Sequence, residues 1–297
     1  MPRYWSADGS NPGFCEPVPT PNVFAGGQNR NRRQTGPSVS RSRGLPPVSP
    51  SAQAVVVGAT GEVGAAIVAR LRKAGVPVVA VARDSGHLEQ LSATDDGITA
   101  CHADIGDDSP GEAIAAAVSG PVRMVVQTAA VPPAGPLATI EPDALGRSVS
   151  LKLGGLLRLI RAVEDRFIEG SRIVAIGGLF GAEPTPETCG AGITNAALAN
   201  LIRQLSDAYG PKGVTVHMIA PGALETERLR RFAGAEAQER GVSIETVLDE
   251  YRSESSLHRL TTPDQIAWAV TQLLAPEADA LHGATIALDG GSRRGIF

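Results

Sequence analysis

Between residues 54 and 75 an unbroken apolar run, a glycine-spaced turn and an amphipathic stretch follow one another, AVVVGATGEVGAAIVARLRKAG. A run such as AVVV suits a parallel strand covered on both faces. Gly58, Gly61 and Gly64 then recur every third residue. Glycine tolerates positive φ and lets the main chain approach a pyrophosphate, which settles on the free N–H groups of a helix start. Val63, Ile67, Leu71 and Ala74 mark one helical face, and Gly75 with Pro77 stops it. The stretch is therefore expected to be a strand, a nucleotide-binding turn and a helix, the opening of a doubly wound α/β sheet.

The chain is long enough for a large core. It has 297 residues, 42% of them hydrophobic but only 4% aromatic, which suits an Ala/Val/Leu-rich α/β protein. Cys15, Cys101 and Cys189 are too scattered for a disulfide framework or a zinc ribbon, so no metal site is expected and a reducing, cytoplasmic setting fits. No apolar run reaches the ~20 residues of a membrane span.

Residues 1–51 differ in kind. They hold nine of the 22 prolines and six arginines against two acids, so this part carries +4 and leaves −8 on the rest of a chain whose net charge is −4. The expectation is a disordered Pro/Arg/Ser-rich tail over 1–51 followed by one folded domain over 52–297. Without interleaved aromatics or an amphipathic helix the tail gives no reason to expect nucleic acid or membrane as a partner.

Beyond the opening unit, strand and helix patterns alternate. Strands are expected over 78–82, 98–102, 122–127, 172–177, 214–219 and 284–288, giving a Rossmann-like doubly wound parallel sheet of about seven strands. One long helix is expected to carry Leu145, Val149, Leu153, Leu156, Ile160, Val163 and Phe167 as a stripe for a neighbouring helix or subunit. Its Gly154-Gly155 pair implies close backbone contact or a kink. A second spans about 193–209. The charged stretch 224–260 reads as a helical lid insertion.

These segments in this order resemble the short-chain dehydrogenase/reductase family. GATGEVG is similar to that family's opening turn, VVAVARD to its second strand, CHADIGD to its adenine-contacting segment and APGALET to its Pro-Gly-x-x-x-Thr segment. The closing TPDQIAWAVTQLLAPEADALHGATIALDGG is similar to the C-terminus of 3-ketoacyl-carrier-protein reductases. The resemblance implies a cofactor cradle of Gly58, Thr60, Gly61, Gly64, Arg83, Asp104, Ile105, Ala129, Pro221, Gly222 and Thr226. Arg83 follows the second strand, with Ala82 where NAD-preferring members carry an acid, so NADP is the expected cofactor. Glu62 and the QTAA at 127–130 depart from the family pattern, and a carboxylate beside a pyrophosphate repels it.

The family's catalytic Asn, Ser, Tyr and Lys fall, by ungapped matching, on Ser150, Gly178, Ala191 and Asn195. All four side chains are replaced. A phenol of reference pKa near 10, tuned by a neighbouring ammonium, normally protonates the forming alkoxide. Ala191 has no proton to give. The weak substitutes nearby in sequence are His217, Glu187 and Cys189, with His217 also readable as a hydrogen-bonded core residue. Three functions remain open: an NADP-binding protein diverted to a non-redox cyclase, isomerase or dehydratase reaction on a small organic substrate, a non-catalytic pseudo-reductase subunit, or an atypical NADP-dependent oxidoreductase whose substrate or another residue supplies the proton. A homo-oligomer, dimer or tetramer, is expected, or assembly with an intact paralogue.

Overall fold

The computed structural model describes residues 52–107, 109–130 and 135–295, all within the compact unit 45–297. The expected tail over 1–51 lies outside the described residues. Seven parallel strands form one sheet: β1 (Gln53–Val57), β2 (Val78–Ala82), β3 (Ile98–His102), β4 (Val122–Gln127), β5 (Phe167–Ile176), β6 (Thr215–Pro221) and β7 (Thr285–Leu288). Their order is β3-β2-β1-β4-β5-β6-β7. The chain thus winds outward one way from β1, then crosses to β4 and winds the other way.

Along the central strands alternate residues serve opposite cores, the period-2 consequence of the pleat. Val55 and Val57 face one layer, with Ile114 of α3 (Pro110–Ala117), Leu156 and Ile160 of α5 (Gly155–Val163), and Leu198 and Ile202 of α6 (Cys189–Tyr209). Ala54 and Val56 face the other, with Ile67 and Leu71 of α1 (Glu62–Lys73), Leu88 of α2 (Ser85–Ala93), and Ile266 and Val270 of α9 (Pro263–Gln272). Both faces are covered, as the unbroken apolar runs require.

The first long helix is α4 (Pro142–Val149) and α5, joined through a single π turn at Ser150–Gly154. The Gly-Gly pair closes the π turn and opens α5. A Cβ on Gly155 would stand 2.7 Å from the Gln127 side-chain Nε2 of β4, and the wide turn ends at Gly154. The stripe ends sooner than expected, because α5 stops at Val163 and Phe167 opens β5, its ring edge-on to Tyr209 at 6.1 Å between centroids. An i, i+4 step from Val163 cannot tell a helix from a strand that begins four residues later.

The stretch expected as a lid is two helices, α7 (Glu227–Arg240) and α8 (Ile244–Ser253), around a small core of Ala233, Ala237, Val247 and Leu248. Among the described residues no helix is long and apolar enough to cross a membrane.

Candidate functional site

The strand order reverses between β1 and β4, and in open α/β sheets the crevice beyond the C-terminal strand ends at that point is where ligands bind. Here β1 runs into Gly58 and β4 into Thr128. Gly58 has φ +80°, and a Cβ on it would strike Thr128 Oγ1; one on Gly64 would strike the Gly58 carbonyl. Thr128 closes the seam by donating to Val57 O at 2.7 Å. Gly61 begins α1 with no side chain capping its first-turn N–H groups. Bare backbone, a helix start and adjoining Thr60 and Ala129, both half-buried, form a cradle able to take a diphosphate.

At the ends of β2 and β3, Arg83 is largely exposed, and its Nη1 lies 3.7 Å from Asp104 Oδ2. His102 Nε2 meets the Arg83 carbonyl at 2.8 Å. Asp104 is fixed as a turn by the Gly106 N–H at 2.8 Å, and Ile105 beyond it is buried. Pro221 ends β6, the Gly222 N–H donates to Leu288 O, and Thr226 caps α7 by accepting from Leu229 N at 3.3 Å. Every residue expected in the cradle therefore follows the C-terminal end of a parallel strand, on one edge of the sheet.

Glu62 is also accounted for. Its carboxylate accepts from the Glu227 N–H at 3.0 and 3.3 Å, so it sits on the N-terminus of α7. Favourable interaction of an anion with that helix end holds it there. A cleft of about 160 Å³ opens beside this contact, lined by Glu62, Glu225, Thr226, Arg230, Leu248 and Arg252 among others.

The four positions matched to catalytic side chains do not all meet. Gly178 follows β5, and a Cβ on it would stand 2.8 Å from Asn195 Nδ2. Gly181, in the tight turn Leu179–Gly181, presses against the α6 backbone at Asn195 and Ala196 and fixes Asn195 in place. Ala191 lies one turn before Asn195 on α6. Ser150 is exposed at the start of the π turn. What reaches Asn195 from that turn is Lys152, whose Nζ donates to Asn195 Oδ1 at 2.7 Å. Burial, with the Arg228 guanidinium nearby on α7, lowers the Lys152 pKa to about 8. Among the described residues no carboxylate pairs with Lys152, and Asn195 Nδ2 has no hydrogen-bond partner.

Of the substitute groups, His217 is fully buried within β6. Its Nδ1 meets the Leu281 carbonyl at 3.1 Å and its Nε2 the Thr215 hydroxyl at 2.9 Å, which places it in the core. A carbonyl only accepts, so Nδ1 carries the proton and Nε2 accepts from Thr215. Burial lowers its pKa to about 4. Glu187 is exposed, and Cys189 starts α6 half-buried.

Lys152 is the cation of this group, and the frame of catalytic positions does not include it. That frame singles out Ser150 and not the cation two residues later. The available signal was a lone lysine between Leu151 and Leu153, beside the glycine pair.

Comparison with known proteins agrees with the family and the fold. The profile of a family described as Enoyl-(Acyl carrier protein) reductase, of the short-chain dehydrogenase type, matches residues 58–293. The chain is 28% identical over 230 residues to the inactive 2-(S)-hydroxypropyl-CoM dehydrogenase 2 of Xanthobacter autotrophicus, covering 74% of this chain and 96% of that one. An actinorhodin polyketide ketoreductase solved with NADPH superposes with a TM-score of 0.75 at 23% identity, over 83% of this chain and 99% of that one. A short-chain oxidoreductase from Pseudomonas aeruginosa PAO1, described as containing an atypical catalytic center, gives a TM-score of 0.72 at 25% identity, over 83% and 98%.

Proposed function

Because this chain belongs to the short-chain dehydrogenase/reductase family, we propose that it binds NADP(H) and acts on a small carbonyl substrate through an atypical set of proton-transfer groups. The observation that carries the cofactor reading is the cradle: two glycines that admit no side chain, an uncapped start to α1, and an exposed Arg83 at the end of β2. Arg83 supplies a charge-assisted contact for a 2′-phosphate. The nearby Asp104 orients it weakly, since 3.7 Å is beyond a short ion pair. Bound there, a reduced nicotinamide supplies a hydride. The proteins solved with NADPH, and with an atypical catalytic center, support the same reading.

The atypical part follows from Gly178 and Ala191, which bring neither hydroxyl nor phenol to the end of β5 and the first turn of α6. Of the readings open from the sequence, the oxidoreductase with a substitute proton source has the most support, because a cationic side chain stands beside those gaps. Assembly as a dimer or tetramer belongs to the same proposal. A nucleotide-binding subunit without catalysis is the second reading, favoured by the relative described as inactive.

Titration calorimetry with NADPH and NADH tests the cofactor assignment. NADPH is expected to bind more tightly, by roughly tenfold for one charge-assisted contact of 1.5–3 kcal/mol partly screened by water. Arg83→Glu is expected to remove the difference. Equal affinity of the unaltered protein for both nucleotides would refute the role of Arg83.

A further inference from the structure

We propose that Lys152 and Asn195 together form the site for a substrate carbonyl oxygen, with Asn195 Nδ2 holding the oxygen and Lys152 giving it the proton. The inference rests on the NADP(H) reading above and adds the residue that completes the chemistry.

The geometry carries it in three steps. The Asn195 amide is oriented: Oδ1 accepts from Lys152, which leaves Nδ2 turned toward the space beside Gly178. Nδ2 has no partner among the described residues, and a Cβ on Gly178 would stand 2.8 Å from it, so the glycine leaves that donor uncovered by a side chain. Lys152 has three N–H bonds and spends one on Asn195, so two remain for an acceptor. The amine is not neutralised by a carboxylate. Burial first, and then the Arg228 charge, oppose its protonated form, which makes the proton easier to release than an ordinary lysine's.

In the resulting step Lys152 gives its proton to the carbonyl oxygen as the C=O π pair settles there, the N–H bond breaking while the O–H bond forms. The carbonyl carbon takes the hydride and is reduced, leaving the nicotinamide oxidised. The neutral amine regains its proton from water on the exposed Ser150 side of the turn. Asn195 holds the oxygen in both states and changes no charge.

The test uses the full chain and its Lys152→Met, Lys152→Arg and Asn195→Ala variants. NADPH affinity is measured first, by calorimetry, and is expected to stay within about twofold in all of them. Failure of NADPH to bind the unaltered protein would refute the function proposed above, and that outcome is separate from the readouts on Lys152. The second readout is labelling by acetic anhydride as a function of pH, followed on the Lys152 peptide by mass spectrometry. Lys152 is expected to react with a midpoint near pH 8, and to be shielded by NADPH plus a non-reacting hydroxyl analogue. A midpoint shared with surface lysines, or no reaction, would overturn the proposal. The third readout is NADPH oxidation with ketones, ketoacyl thioesters and quinones. A pH limb near 8 is expected, with a 10²- to 10⁴-fold loss of kcat in Lys152→Met. Lys152→Arg should remove the limb, since guanidinium does not titrate there. Turnover unchanged in Lys152→Met would also overturn the proposal. Where no compound turns over, the labelling midpoint and its shielding decide.

Discussion

A histidine with both ring nitrogens occupied and no solvent contact is a liability in acid, and His217 is such a residue. Its folded pKa of about 4 lies below the ordinary 6.5, so the unfolded chain binds the proton first as pH falls. Stability from this group is therefore full above about pH 6.5 and is lost progressively between 6.5 and 4. The loss is on the order of 3 kcal/mol at most. Urea unfolding at pH 7, 5.5 and 4.5 should show this slope in the unaltered protein and a shallower one in His217→Gln. Equal slopes would exclude His217 as the acid-sensitive group. At this scale the sequence was legible where backbone alone decides: Gly58 and Gly64 sit where their spacing puts them, because positions that admit no Cβ leave few residue choices. Lys152 was not legible in the same way. Its partner Asn195 lies 43 positions away, and nothing in the spacing of either announces the hydrogen bond.

Elements were predictable to the extent that periodicity is local. Six of the seven strands expected from apolar runs begin within one residue of their observed starts, and the fifth in chain order, β5, begins at Phe167 rather than 172 because its first residues are only half-buried and carry no clear alternation. The stretch over 224–260 was legible as helical but not as a hairpin with its own small core, since alanines such as Ala233 and Ala237 give weak hydrophobic signal. What ties that hairpin to the cradle is Glu62, reaching from the first turn of α1 to the first turn of α7. Glu62→Gln preserves an acceptor for the Glu227 N–H and removes one negative charge beside the proposed diphosphate position. NADPH affinity is expected to rise two- to fivefold at low ionic strength, the equivalent of roughly 0.3–1 kcal/mol, and the gain should shrink in high salt. Calorimetric titrations at two salt concentrations check both parts; a loss of affinity would mean that the carboxylate helps to shape the site.

At the scale of the whole molecule the sheet is braced on one side by a buried cation. Arg172 of β5 is fully enclosed, and its guanidinium donates to the Leu273 carbonyl at 2.6 Å and the Ala275 carbonyl at 3.3 Å, with Asp279 Oδ1 at 2.7 Å. Arg123 of β4 adds a bond to the Leu274 carbonyl at 3.0 Å. Two central strands thus grip the chain that leaves α9 and enters β7, far along the sequence, and the composition gave no hint of it. Asp279→Ala leaves the guanidinium with carbonyl partners only. Asp279 is half-exposed, so the cost should be about 2 kcal/mol, below the 3–5 kcal/mol of a fully buried pair. Differential scanning calorimetry should show the melting temperature falling by several degrees; no change would mean that the carbonyls alone satisfy Arg172.

The π turn at Ser150–Gly154 acts on this architecture as a spacer of one residue. An α-helix advances 100° per residue, so α4 and α5 are rotated against each other by about that angle relative to a regular helix. The α5 half is held by Leu156, Leu159, Ile160 and Val163, all buried, and cannot turn. A chain one residue shorter at Ser150 would therefore keep its sheet and both cores, while α4, ahead of the turn, swung round and presented a different face to α6. In this protein the direction in which α4 faces is a matter of chain length as much as of residue identity, and a single lost codon would change it while leaving the sheet in place.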